Sequence, residues 1–162
     1  MTTLKNKVAI VTGSSKGIGA QIAILLAEAG AKTVINYAND DAAANEIVEK
    51  IKAAGGEALA VQADVSDTKQ VKAMFDTTIS ELGQPDILVN SAGIIICKTI
   101  EETTDEDFDR IFSINVKGTF NTLREAATKL NDGGRVINLS STTTRMMLPT
   151  YGSYCATKGA VE

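Results

Sequence analysis

An α/β fold, with a parallel sheet covered on both faces by helices, is predicted for these 162 residues by three observations. Apolar runs of strand length recur at Val8–Val11, Thr33–Tyr37, Ala58–Ala63, Asp86–Asn90 and Arg135–Leu139. Four segments between them carry the apolar spacing of helices. A glycine-bearing turn joins the first run to the first of these segments. Strands that read as nearly continuous apolar runs need cover on both faces, and helices in right-handed crossovers between parallel strands supply it.

The first helix is expected from about Gly17 to Ala29, with Ile18, Ile22, Leu25 and Leu26 inward and Gly30 ending it. The second follows Asp40 or Asp41 as N-cap, turns Ile47, Val48 and Ile51 inward and stops at Gly55-Gly56. The third starts after Ser66 or Asp67, buries Val71, Phe75 and Ile79, and ends at Gly83. The fourth is the longest, from about Thr104 through Phe108, Ile111, Phe112, Ile114 and Phe120 to Leu130, and Thr104 with Asp107 resembles a capping box. No repeat, low-complexity tract or linker interrupts the pattern, so residues 1–162 read as one domain.

Composition removes several classes of function. Lys and Arg number 16 against 20 Asp and Glu, a net charge of -4, the wrong sign for neutralising the phosphates of a nucleic acid. The absence of His excludes a Ser-His-Asp triad and imidazole-bound zinc, and no metal site is expected. Acid-base chemistry must fall to carboxylates, Cys, Lys or Tyr. Cys97 and Cys155 form no CxxC pair and read as reduced thiols of a cytoplasmic protein. No stretch has the apolar length of a membrane span, and Met1–Lys7 leads into a run too short for a signal-peptide core.

Directly after the first strand stands Thr12-Gly13-Ser14-Ser15-Lys16-Gly17-Ile18-Gly19, followed by helix. Glycines there permit a sharp turn and a close approach of backbone amides to a pyrophosphate, and the helix N-terminus adds partial positive charge. By mechanism this is a dinucleotide site in a Rossmann-type, doubly wound sheet. Ile18 follows Gly17 where a nucleotide-triphosphatase loop needs Lys, so that alternative fails.

With that loop the chain resembles the short-chain dehydrogenase/reductase family, whose first motif is T-G-x-x-x-G-x-G, and within it the NADP-dependent, 3-oxoacyl reductase-like members. Asn90-Ser91-Ala92-Gly93 matches the family's N-N-A-G element with Ser91 for the second Asn. Asp64, followed by Val65, sits where the family contacts adenine. Asn115, Ser141, Tyr154 and Lys158 match its catalytic set, Ser141 standing 13 positions before Tyr154 (154 − 141) with Ser140 as neighbour.

The resemblance implies hydride transfer between a nicotinamide and a carbonyl or carbinol carbon, with Tyr154 as general acid in reduction and general base in oxidation. Tyr154 and Lys158 are four apart and share a helix face. Bringing a free phenol to neutrality takes on the order of 4 kcal/mol, which a cation at ~4 Å in an effective dielectric of ~20 supplies. By the same resemblance, Ser141 would hydrogen-bond the substrate oxygen, Lys158 would also hold the nicotinamide ribose, and Asn115 would support a water between Lys158 and solvent. A mid-helix Asn that merely points outward is the alternative. The cofactor contacts it implies are Gly13, Ser14, Ser15, Lys16, Gly17, Ile18, Gly19, Asn36, Tyr37, Asp64, Val65, Asn90, Ala92, Gly93, Tyr154 and Lys158. Cys155 should face away from Tyr154 and pack, and Ile94-Ile95-Ile96 would line the substrate cleft or sit buried in a loop.

NAD-specific members carry an acidic residue at the end of the second strand. Asn36 at that position is uncharged, and Lys16 lies near the place of a 2′-phosphate, so NADP(H) is favoured, with NAD(H) the alternative. The expected partner is a small carbonyl or alcohol substrate: a ketone, aldehyde, 3-oxoacyl thioester, sugar or secondary alcohol. A homo-oligomer paired through the fourth helix is also implied. Family members continue beyond the equivalent of Glu162 with two further strands, so this chain is expected to be part of a longer protein, with the sheet missing strands beside the first one. A dinucleotide-binding module without turnover, or an assembly protein, would not need all four of Tyr154, Lys158, Ser141 and Asn115.

Overall fold

A computed structural model describes residues 3–146 and 148–162; Met1 and Thr2, at the start of the N-terminal lead-in, and Met147 lie outside the described residues. Five strands, β1 (Val8–Val11), β2 (Lys32–Tyr37), β3 (Glu57–Gln62), β4 (Ile87–Asn90) and β5 (Arg135–Asn138), form one parallel sheet in the order β3-β2-β1-β4-β5. The helices are α1 (Gly17–Glu28), α2 (Asp41–Ala53), α3 (Thr68–Leu82), α4 (Asp105–Phe112), α5 (Gly118–Lys129), α6 (Thr143–Met146) and α7 (Gly152–Val161). The strand boundaries and the outer ends of the four predicted helical segments fall within a residue or two of those the periodicity predicts.

Side chains alternate across each buried strand, which makes two cores. Ala9, Val11, Ile35 and Val89 face α1 and α2, meeting Ala23, Ile24, Ala27, Val48 and Ile51. Ile10, Val34 and Leu88 face the other way, against Val71, Met74 and Phe75 of α3 and Ala126 of α5. The sheet is therefore doubly wound, as expected.

Three expectations are corrected. The inward face of α1 is its small-residue face, Ala20, Ala23, Ile24 and Ala27, while Ile18 and Leu25 are 70% and 62% exposed. Small residues let the helix lie close to the sheet, which turns the larger ones to the rim. For the same reason of helix rotation, Ile79 of α3 is exposed and Thr78 takes the buried position; of the apolar residues named for the fourth segment, Ile111 is buried while Phe108 and Phe120 are exposed. The predicted single helix from Thr104 to Leu130 keeps its capping box, with Asp107 N donating to Thr104 Oγ1 at 3.2 Å, but a π-helical turn at Ser113–Lys117 divides it into α4 and α5. Finally, β1 has a neighbour on each side, β2 and β4, so the sheet lacks nothing beside it. The outer strands of the five are β3 and β5, and Val136 and Ile137 of β5 are 42% and 47% exposed.

Among the described residues no helix is long and apolar enough to cross a membrane, and no three metal-ligating side chains cluster.

Candidate active site and dinucleotide cleft

From β1 the chain crosses to β2 on one side, and β4 lies on the other, so the carboxyl ends of β1 and β4 flank a topological switch point. A cleft of about 680 Å³ opens there. Its floor is the glycine loop. Gly13 and Gly17 hold φ of +62° and +60°, conformations that a side chain strains. A Cβ on Gly13 would stand 2.8 Å from Ala92 Cα, and one on Gly19 would stand 2.6 Å from the Gly13 carbonyl oxygen. The loop is thus packed against the β4 exit by backbone contact, and Thr12 stitches the two, its hydroxyl accepting from the amides of Ser91 and Ala92 at 3.1 Å each.

Helix capping sets α1 apart from the three helices that follow it. Asp40, Asp67 and Thr104 cap α2, α3 and α4 through their side chains, whereas Lys16 at the start of α1 makes no such bond and no acidic residue occupies the first turn. The first amides of an α-helix have no intrahelical acceptor, so those of α1 are left for an anion.

Of the residues singled out in the sequence, Gly13, Ser15, Lys16, Ile18, Gly19, Tyr37, Asp64, Val65, Ala92, Gly93, Tyr154 and Lys158 line this cleft. Gly17 sits exposed at the start of α1. Ser14 and Asn36 work from beneath. Ser14 Oγ donates to the Val11 carbonyl at 2.6 Å and accepts from the Asn36 amide at 3.0 Å. Asn36, though it contributes to the cleft wall, is 1% exposed. Its Oδ1 accepts from Gly13 N at 3.1 Å and its Nδ2 donates to the carbonyls of Ala63 and Val61 at 3.0 and 3.3 Å. The expectation that Asn36 stands where a ribose would be read is therefore corrected: its amide protons are spent on backbone carbonyls. Tyr37, Ala38 and Asn39, which follow it, line the open wall. Ala38 and Asn39 were not singled out, and neither was Arg110; the signal available for the first two was their place just past the strand end.

Asn90 is also turned inward, accepting from the Thr122 hydroxyl at 2.7 Å and donating to Asn138 Oδ1 at 2.9 Å across the β4–β5 pair. Asn115, in the π-helical turn, is 1% exposed, which overturns the outward-pointing alternative. Its Oδ1 accepts from Ile94 N and its Nδ2 donates to Ile94 O, both at 2.9 Å, and to Thr157 Oγ1 at 3.0 Å. Both amide protons are used within the protein, so the carboxamide ties the β4 exit to α7 and has no donor left for a water. The π turn supplies this: its extra residue redirects the side chain from the line of the surrounding helix.

Tyr154 and Lys158 project from α7 onto the cleft, with Lys158 Nζ 5.8 Å from the centroid of the Tyr154 ring. Lys158 is 8% exposed and donates to the Leu139 carbonyl at 2.7 Å. Burial pushes its ammonium below the usual lysine range. Tyr151 packs edge-on to Tyr154, ring centroids 6.1 Å apart, and the neighbouring Cys97 thiol holds its phenol above the usual range. Ser140 reaches the cleft wall, yet its hydroxyl donates to Glu162 Oε1 at 2.7 Å. Ser141 Oγ accepts from the Thr143 amide at 3.2 Å and the Thr143 hydroxyl at 2.9 Å. Ile94 and Ile95 line the cleft.

An uncapped helix behind a glycine loop, opening into a cleft at the switch point, is the build of a dinucleotide-binding α/β domain. The family model for short chain dehydrogenases matches residues 7–162, and the chain belongs to that family. An uncharacterized oxidoreductase of Methylorubrum extorquens is 47% identical over the whole chain, which spans 65% of that relative's length. An Arabidopsis thaliana chloroplastic NADPH-dependent aldehyde reductase-like protein is 49% identical over 98% of the chain and 64% of its own length. A short chain dehydrogenase from Burkholderia cenocepacia, solved in complex with NADP, superposes with a TM-score of 0.93 at 36% identity, covering 98% of this chain and 65% of its own.

Proposed function

We propose that the protein is an NADP(H)-dependent oxidoreductase that moves hydride between the nicotinamide and a small carbonyl or secondary alcohol, with Tyr154 as general acid and base. The observation that carries this reading is the placing of Tyr154 and Lys158, one turn apart on α7, on the wall of the cleft that the glycine loop floors.

The residues present suit a dinucleotide. The free amides at the start of α1 would hold its pyrophosphate, and Asp64 and Val65 line the cleft beside the β3 end, as a pocket for adenine requires. Tyr37, Ala38 and Asn39 put no carboxylate at the end of β2, and the Lys16 ammonium is at hand for a 2′-phosphate. The NADP complex of the Burkholderia relative and the NADPH named for the Arabidopsis relative support the same choice. When bound, the nicotinamide supplies the carbon that gives or takes hydride.

In reduction Tyr154 donates its phenolic proton to the carbonyl oxygen of the substrate as charge develops there, and in oxidation it accepts that proton back. Ser141, which accepts from the Thr143 amide, would donate its hydroxyl proton to the same oxygen. Lys158, buried and without a carboxylate partner among the described residues, keeps its charge beside the Tyr154 ring and would hold the nicotinamide ribose. Asn115 keeps α7 and the β4 exit in register. A homo-oligomer is part of this proposal, by analogy with the family.

The test is Tyr154→Phe in the active protein. Turnover should fall by at least about a hundredfold, the scale of a lost general acid, while the Kd for NADPH by fluorescence titration stays within about twofold. Activity within tenfold of the parent removes Tyr154 from the role.

A further inference from the structure

Two serines follow Leu139, and their hydroxyls are in opposite states. Ser140 spends its proton on Glu162 Oε1. Ser141 receives two donors from a single residue, the backbone amide and the hydroxyl of Thr143. A serine hydroxyl has one proton and two lone pairs; the Thr143 amide takes one pair, and with the Thr143 hydroxyl as the donor of the second bond the Ser141 proton points away from Thr143. Serine hydroxyls left to rotate tend to turn onto nearby backbone carbonyls, which would cancel a donor role.

Thr143 is itself tethered to the helix that bears Tyr154. The Cys155 thiol donates to the Thr143 carbonyl at 3.2 Å, and Cys155 is the residue after Tyr154. At the other end of the same segment, Lys158 Nζ donates to the Leu139 carbonyl at 2.7 Å. The stretch from Leu139 to Thr143 is therefore pinned to α7 on both sides of Ser141, by side chains that neighbour or belong to the tyrosine-lysine pair.

We propose that Thr143 is a positioning residue: it makes Ser141 a committed hydrogen-bond donor toward the substrate oxygen and, through Cys155, registers that donor against Tyr154. The inference rests on the roles given to Ser141 and Tyr154 under the proposed function. It explains why Cys155 packs as it does, with its sulfur on the Ser141 segment rather than in the cleft.

The experiment is a double-mutant cycle on NADPH-dependent reduction, read at 340 nm, with 9,10-phenanthrenequinone, ethyl acetoacetate and 2-decalone as probes and the fastest of them used throughout. Thr143→Val removes the hydroxyl and keeps the amide. It should lower kcat about three- to tenfold, the scale of one hydrogen bond, and leave the Kd for NADPH within about twofold. Thr143→Ser should restore the rate, and Thr143→Ala should match the valine variant, which separates the hydroxyl from a packing effect of the added methyl. In a Ser141→Ala background the Thr143→Val change should cost nothing further. An equal loss in both backgrounds overturns the proposal, as does a harmless Thr143→Val where Ser141→Ala is damaging. A harmless Ser141→Ala, or a parent that reduces none of the probes, removes the underlying reading of the site instead, and this proposal with it.

Discussion

The Asn115 carboxamide closes on both backbone groups of Ile94, accepting from its amide and donating to its carbonyl at 2.9 Å each. One side chain thereby does for the β4 exit what a neighbouring strand does within the sheet. Its third bond, to Thr157, brings α7 into the same knot one residue before Lys158.

Asn115→Ala leaves two backbone groups and the Thr157 hydroxyl without that partner. The variant is expected to lose about 2–4 kcal/mol of stability, the scale of stranding buried polar groups, in urea unfolding followed by circular dichroism. A loss below about 1 kcal/mol, the net worth of a single ordinary hydrogen bond, shows that the knot is not made in solution.

Asn36→Asp tests the buried clasp under the glycine loop. The carboxylate would keep the Gly13 amide but face the carbonyls of Val61 and Ala63 without a proton to give. Such a group favours its neutral form, so its carboxyl titrates above the unfolded value of about 3.9 and the variant's deficit grows as pH rises through that shifted value. Thermal unfolding at pH 5 and pH 8 should give the larger drop at pH 8, and equal drops contradict the clasp.

Lys158 carries the opposite sign. Burial holds its folded-state value below that of the unfolded chain, so the unfolded state binds more protons over the window between the two and stability rises with pH there. The ammonium costs stability at neutral pH, and that cost is relieved as pH climbs toward about 10.4. Lys158→Met should flatten the alkaline part of the stability profile between neutral pH and that limit. An unchanged slope in the variant means the ammonium is solvated in the native state.

Thr33 offers a stabilising change. Its side chain on β2 is fully buried, and its hydroxyl oxygen has no hydrogen-bond partner among the described residues. Thr33→Val keeps the shape and removes the stranded polar atom, so a gain of about 1 kcal/mol is expected. Unfolding midpoints in urea measure it, and any loss indicates that a water serves the hydroxyl.

The sequence by itself determined the layers, the glycine loop and the chemical cast of the site. Apolar runs such as Val8–Val11 have one reading once helices separate them, and the exits of those strands collect Gly13, Asp64 and Gly93 at one end of the sheet by topology alone. The order of the strands is less legible, because local pattern does not say on which side of β1 a later strand inserts, and the structure places β4 there. Helix rotation does not follow side-chain bulk. Ile18 and Leu25 face out since close packing against the sheet rewards the alanines of α1. What only the tertiary structure decided is the orientation of short polar side chains: Asn36 turned under the loop, Asn90 across to Asn138 and Asn115 onto Ile94. Each depends on partners distant in sequence or on a π turn that periodicity cannot register. A buried amide or hydroxyl points wherever the fold leaves an unpaired backbone group, and that exists only after the elements have packed.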